Sequence, residues 1–267
     1  MTAVAPALNV MRQAFAAGIA DYRVIFTWRS WLLGWMVRVI AQVSFFALIG
    51  LRVADERSAF YILIGNCLAV AAQSGVFSLN MTTTERWAGT LPLLVASPSS
   101  PLLVFASRGA YLAVDGALSA VGALFIAGPL FGLDLPWPRV LIVIPLTGLI
   151  AASAYCLGTF LAGIVFRFRE GNSLVVNTTY VGLMAACGVN VPLDYYPPLL
   201  AWLSHLLPLT NGLLAIRGVF EGAPAAEILG HAAAEALVGV GWLTLALLTF
   251  NRLASRGRLD GSLDYGA

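Results

Sequence analysis

Lysine is absent from this chain, and all fifteen of its basic residues are arginine. A phosphate-binding loop of the G-x-x-x-x-G-K-[ST] kind needs its lysine to reach the phosphates, so that route to ATP hydrolysis is closed to this polypeptide. Charge of either sign is scarce: Asp, Glu, Lys and Arg make up 10% of the 267 residues, while 60% are hydrophobic. Soluble domains carry about 25% charged residues, and the mean hydropathy here is +0.86. A water-soluble globule is excluded, and a bilayer is the natural cover for so much apolar surface. The net charge of +2 is too small to point to nucleic acid.

Cysteine and histidine are equally sparse. Cys67, Cys156 and Cys187 each lie in an apolar run with no C-x-x-C pair, so neither a zinc site nor a disulfide framework is suggested. They read as small core residues. The two histidines, His205 and His231, are joined by no G-x-S-x-G elbow and no H-E-x-x-H pair. Intramembrane hydrolysis needs an activated nucleophile with a base in reach, so no catalytic residue and no metal ligand is assigned.

What the chain does have is length in apolar runs. A helix crossing the hydrocarbon needs about 20 predominantly apolar residues, and six stretches qualify: 31–51, 59–80, 109–131, 140–166, 173–191 and 231–250. The first of them begins near Trp31 and reads as a retained span rather than a cleavable signal. Six spans put both termini on one side, which then holds Arg12, Arg23, Arg29, Arg86, Arg108, Arg167, Arg169, Arg252, Arg256 and Arg258. Arg52, Arg57, Arg139 and Arg217 fall on the other, so the positive-inside rule places both termini in the cytoplasm.

Before the first span, Leu8, Met11, Phe15, Ile19, Tyr22 and Phe26 recur at steps of three or four. That is one apolar face of a helix lying along the cytoplasmic membrane surface. Between the fifth and sixth spans the segment 192–224 is apolar, yet Pro197, Pro198 and Pro208 cut it into pieces of about ten residues, too short to cross. Two short helices that enter from the outer face and return fit this pattern. The expected architecture is an all-α membrane protein in three parts. Residues 1–30 form the tail and interfacial helix, 31–250 the six-helix domain, and 251–267 a loosely held cytoplasmic tail.

Ionisable residues inside spans are functional candidates because burying one costs about 3 kcal/mol or more at the bilayer centre. Arg38 and Asp115 are the candidates here, as a structural pair between the first and third spans or with Asp115 as a proton shuttle. Uncharged polar residues also fall inside spans. Asn66, Gln73, Phe77 and Asn80 share one face of the second, at steps of seven, four and three. Asn177, Thr178, Thr179 and Tyr180 lie in the fifth. Either interhelical hydrogen bonding or the lining of a transport path accounts for such a face.

Between the second and third spans runs TTTERWAGTLPLLVASP, residues 82–98. Trp87, Leu91, Leu94 and Val95 sit at helical spacing, with Glu85, Arg86 and Thr90 pointing elsewhere. This stretch resembles the ABC-2 family of ATP-binding-cassette permeases, whose loop at this place is acidic, contains Gly-Thr-Leu and ends in Ser/Thr-Pro. Glu85, Gly89, Thr90, Leu91, Leu94 and Pro98 carry the match. Arg108-Gly109 and the outer run of Pro192, Pro197, Leu207, Pro208, Leu209, Thr210 and Arg217 extend it over almost the whole chain. The family's usual acidic residue is replaced by Pro92, which suits a first helical turn, so a helix begins there and 85–90 forms a separate turn.

The resemblance implies a permease subunit, in a bacterial cell membrane, that exports hydrophobic drugs, antibiotics or lipids. Lipid-linked polysaccharide is the alternative cargo. It implies a second permease subunit, identical or related, and two nucleotide-binding subunits as partners; ATP and magnesium are held by those subunits and no cofactor by this chain. It assigns coupling to the ATPase to Glu85, Arg86, Trp87, Gly89, Thr90, Leu91 and Leu94. It assigns the path to polar and aromatic positions of the first, second and fifth spans: Asn66, Gln73, Phe77, Asn177 and Tyr180. From a different class, a proton-coupled transporter would use Asp115 and Arg38.

Overall fold

The computed structural model describes residues 4–53, 56–80, 101–165 and 172–260, and every regular element among them is helical. Helix α1 is Val4–Ile25. The first span starts at a Thr27–Ser30 capping box, passes through a π-helical stretch, Trp31–Met36, and continues as α2, Val37–Val53. Helix α3 is Glu56–Val76, extended by a 3₁₀ turn to Asn80; α4 is Pro101–Gly109 and α5 is Tyr111–Leu130. Helix α6, Val143–Val165, follows a 3₁₀ turn at Arg139–Ile142, and α7 is Asn172–Ala186. Two short helices, α8 (Pro198–Ser204) and α9 (Thr210–Glu221), precede the long α10, Ala225–Asp260.

Helix α3 is the axis of the bundle. It packs against α2, α5 and α6, and its run from Leu63 to Val76 is buried on all sides. A helix that is apolar all round belongs in such a place. Lipid tails are as apolar as leucine, so helices inside a membrane associate by close packing and hydrogen bonds rather than by a hydrophobic difference. Small residues let the backbones approach. A β-carbon on Gly75 would stand 2.7 Å from the Tyr155 amide nitrogen, and one on Gly158 would stand 2.8 Å from the Gly75 carbonyl. Gly116 does the same between α5 and α3, at 3.0 Å from the Ala71 carbonyl.

Two indoles fix the order of the helices. Trp31 Nε1 donates to Asp115 Oδ1 at 2.7 Å and Trp35 Nε1 donates to Ser119 Oγ at 2.9 Å, each across 84 residues. Equal separations mean that the first span and α5 run in the same direction, with α3 returning between them.

Among the described residues, five helices are long and apolar enough to cross a bilayer: Trp28–Arg52, Arg57–Asn80, Leu103–Leu130, Arg139–Val165 and Ala225–Phe250. The expected span at 173–191 is represented by α7, which covers 15 described residues. That is about 22 Å of helix against a hydrocarbon thickness of about 30 Å. Its end is set by Gly188, whose φ of +73° turns the chain out of the helix. The outer segment does break into short helices at its prolines. At the other end, the expected loose tail from 251 is instead a continuation of α10 to Asp260, and residues 261–267 lie outside the described set.

Helix α1, expected along the cytoplasmic membrane surface, packs on α4. Phe15, Ile19, Tyr22 and Phe26 are partly covered, Gly18 is buried against the Arg108 carbonyl, and only Leu8 and Met11 of the apolar row stay exposed. Because α4 is itself half-apolar, it supplies the cover that no separate domain provides.

Replacing Gly75 with Ala should therefore lower the melting temperature of the purified protein, by strain of about 1–3 kcal/mol. Gly148→Ala, where nothing lies within 4 Å of the new carbon, should leave it unchanged or raise it, as followed by tryptophan fluorescence on heating in detergent.

Candidate functional site

The segment 82–98 and its seven coupling residues, Glu85, Arg86, Trp87, Gly89, Thr90, Leu91 and Leu94, lie outside the described residues. What is described is the frame that holds both its ends. The preceding 3₁₀ turn, Phe77–Asn80, packs against α6, and the following α4 packs against α1. Arg108 of α4 donates to Asp21 of α1 at 2.6 Å. Asp21 is about half exposed, so this bond positions more than it stabilises.

The firmer tie is Asp115. Its Oδ1 accepts from the Tyr22 hydroxyl at 2.6 Å and from Trp31 Nε1 at 2.7 Å. Burial, and then the adjacent carboxylate, push the Tyr22 hydroxyl well above the usual range for a tyrosine, so it stays a donor. One carboxylate oxygen thus joins α1, the start of the first span and α5. The expected pairing of Asp115 with Arg38 does not form. Arg38 lies over the Trp35 ring, 5.0 Å from its centroid, and the ion pair found among the described residues is Arg108–Asp21. Both described bonds of Asp115 are to aromatic donors, the Tyr22 phenol and the Trp31 indole.

The path candidates divide. On α3, Asn66 and Gln73 are buried, and Asn66 Nδ2 donates to Asn190 Oδ1 at 2.8 Å and to the Ile62 carbonyl at 2.9 Å, so Asn66 belongs to a packing seam. Phe77 is half-buried against a second apolar cluster that includes Leu79, Phe105 and Phe250. On α7, Asn177 is exposed and Tyr180 is half-buried, and the Tyr180 hydroxyl accepts from Gln42 Nε2 of α2 at 3.1 Å. Gln42 was not among the sequence candidates, although it lies one turn beyond Arg38 on the same face.

At the opposite end, two buried ionisable side chains hold α9. Glu235 of α10 is fully buried and meets only donors: the Leu209 amide at 2.9 Å, the Gly212 amide at 3.0 Å and the Ser153 hydroxyl. A carboxylate at a helix N-terminus satisfies amides that have no intrahelical partner and complements the helix dipole. Leu209 adopts a φ of +91°, a conformation that L-residues rarely take, and the bond from its amide to Glu235 holds it there. Arg217, on α9 itself, donates to the carbonyls of Gly188 at 2.9 Å and of Val189 and Tyr61 at 3.2 Å, with its guanidinium 3.3 Å over the Tyr61 ring. Burial pushes Arg217 down to about 10, which leaves it protonated at neutral pH. Sequence reading identified Arg217 only as part of a motif and missed Glu235. An acid inside the run 231–250 was the available signal.

A family model described as ABC-2 type transporter matches residues 19–220, from the second half of α1 to the end of α9. No curated protein matches the chain.

Two substitutions test these ties. Asp115→Asn keeps an Oδ1 that accepts both donors and should leave the melting temperature and activity near wild type, whereas Asp115→Ala should lower the melting temperature; a proton relay would instead be abolished by Asn. Glu235→Ala strands two buried amides, at about 1–3 kcal/mol each, and should speed hydrogen exchange at the Leu209 and Gly212 amides by mass spectrometry while leaving those of α3 protected.

Proposed function

The chain belongs to the ABC-2 type transporter family, and from that premise we propose that it is the permease subunit of an ATP-driven exporter worked through the segment 82–98. Family membership makes it a membrane permease component of an ABC system, in which an ATP-binding partner supplies the energy. A chain without lysine has no P-loop of its own, so the nucleotide sits on that partner. Two nucleotide-binding subunits act on two permease subunits, identical or related, in a bacterial cell membrane with both termini in the cytoplasm. The cargo is a hydrophobic or amphiphilic molecule of the drug, antibiotic or lipid kind, and it moves outward.

The observation that carries this reading is the corner built around Asp115. A push on 82–98 enters α4, passes through the Asp21–Arg108 contact to α1, and reaches α5 and the first span through Tyr22, Trp31 and the shared carboxylate. On the other side of the segment, the same push enters α3, which packs against α2, α5 and α6. Close-packed helices move as rods between discrete arrangements rather than bending, so a small cytoplasmic displacement becomes a change in helix spacing across the membrane. The helices α8 and α9, at about 10 and 18 Å long, close the outer end of the bundle.

Co-purified with its ATPase subunits and reconstituted in vesicles, the Glu85→Ala and Gly89→Pro variants should hydrolyse ATP yet show about tenfold less ATP-dependent transport, the scale of a typical coupling energy. Unchanged transport in both would overturn the reading.

A further inference from the structure

The π-helical stretch Trp31–Met36 sits inside the first span, between an α-helical start at Trp28–Ser30 and the helix Val37–Val53. A π turn holds one residue more than the α-helical turn it replaces, and such turns occur mostly singly within α-helices. An α-helix advances about 100° per residue. One residue more or less at this place therefore turns everything before it by that angle relative to everything after it. The first span has two registers open to it, and its residues sort by the one they serve.

Beyond the π stretch the register is fixed. Met36 is buried where a β-carbon on Gly122 would meet its Cε at 3.1 Å, and Val39, Val43 and Ala47 are buried as well. With the extra residue discounted, Trp31 stands about two α-helical turns before Val39 and shares its face. That is the register of the structure, with Trp31 Nε1 on Asp115. With the extra residue counted, the positions two and three turns before Val39 are Leu32 and Trp28. Both are apolar and uncovered, at 46% and 71% exposure. Trp28, Leu32, Met36 and Val39, at steps of four, four and three, make one α-helical face, and the π turn leaves half of it outside the bundle.

Nothing blocks closure of the wide turn. Leu33 is exposed, and a β-carbon on Gly34 would meet nothing within 4 Å, so no neighbour has to move first. The first turn of the span moves as a unit, because its capping box is closed: the Ser30 amide donates to Thr27 Oγ1 at 3.2 Å and the Thr27 amide to Ser30 Oγ at 2.9 Å. That unit joins α1 directly through Phe26, whose amide donates to the Tyr22 carbonyl at 2.8 Å.

We propose that the first span is a two-position switch. Closure of the π turn into α-helix swings residues 28–31 through about 100°, takes Trp31 off Asp115, and brings Leu32 and Trp28 onto the face of Met36 and Val39. The bond from Trp31 to the Asp115 carboxylate holds the turn in its π form. This rests on the transport reading only for what drives the change, since a push on α1 acts on this unit; the two positions belong to the chain itself.

The test is fluorine NMR of the full chain, labelled with fluorotryptophan and purified in detergent without an ATPase, with Trp28 and Trp31 assigned by their Phe variants. Trp28 should give a main and a minor line. Trp31→Phe removes the bond to Asp115 and should raise the minor Trp28 population about tenfold, the scale of one hydrogen bond to a charged group. Leu32→Gln, added to Trp31→Phe, puts an amide on the inward face of the closed form and should reverse that rise. Deletion of Gly34 removes the extra residue and should leave a single line for Trp28, with Trp31 still on Asp115. It should also slow hydrogen exchange of the amides just before Val37 to the rate found at Val39 and Val43. A single Trp28 line in both the wild type and Trp31→Phe overturns the proposal. So do two lines of unchanged ratio in Trp31→Phe, or two lines that persist after Gly34 is deleted. Unchanged transport in the Glu85→Ala and Gly89→Pro variants would sink the transport reading and leave these lines as they are.

Discussion

Water is missing from the middle of a bilayer, so a polar group carried there must meet its partner within the protein or its ligand. That constraint orders every charged or polar residue described above. Asp115 is met by a phenol and an indole, Glu235 by two amides and a serine, and Arg217 by three carbonyls and a ring. Each of these groups joins elements far apart in sequence. A buried charge with its partners in place contributes little net stability, but removing one side strands the other, so such groups serve to fix which helices lie together.

The ties around Asp115 and those around Glu235 and Arg217 fall at different ends of the bundle, and they do different work there. Around Asp115, the ties run between α1, the first span and α5, next to the segment that leads into α4. Around Glu235 and Arg217 they pin α9 from opposite sides, by its amino end to α10 and by its side chain to the turn after α7. Between these ends the helices meet through small residues such as Gly75, Gly116 and Gly158. The result is a packed central axis, α3, with α2, α7 and α10 leaving broad faces uncovered.

Much of this was legible in the sequence, and what was not legible has a physical reason. Apolar runs and proline breaks are local signals, and they gave the helical class, two of the long spans to within two residues at each end and three more with starts three to six residues late, and the short helices of 192–224. The amphipathic row before the first span was equally plain. The partner of that row was not, because α4 begins 76 residues after α1 ends and its own apolar character reads as part of the third span. Pairing failed for the same reason: Asp115 and Arg38 were the charges nearest the middle of their runs, but which side chains they meet depends on how helices rotate against each other. Tyr22, 93 residues away, carries no mark in the sequence of being the donor. The length of α7 was overestimated because hydropathy continues past Gly188, while the backbone does not. For the coupling residues of 82–98, the motif remains the evidence.

The two indole bonds between the first span and α5 have a mechanical meaning. Rungs at 31–115 and 35–119 sit one helical turn apart on both rods, like two teeth of a rack engaged at once. Axial slip would disengage both together, whereas a tilt about the line joining them strains neither. The π-helical stretch Trp31–Met36 sets the pitch at which those teeth are cut. The pair therefore resists sliding of the first span along α5 more than it resists rolling of one helix about the other.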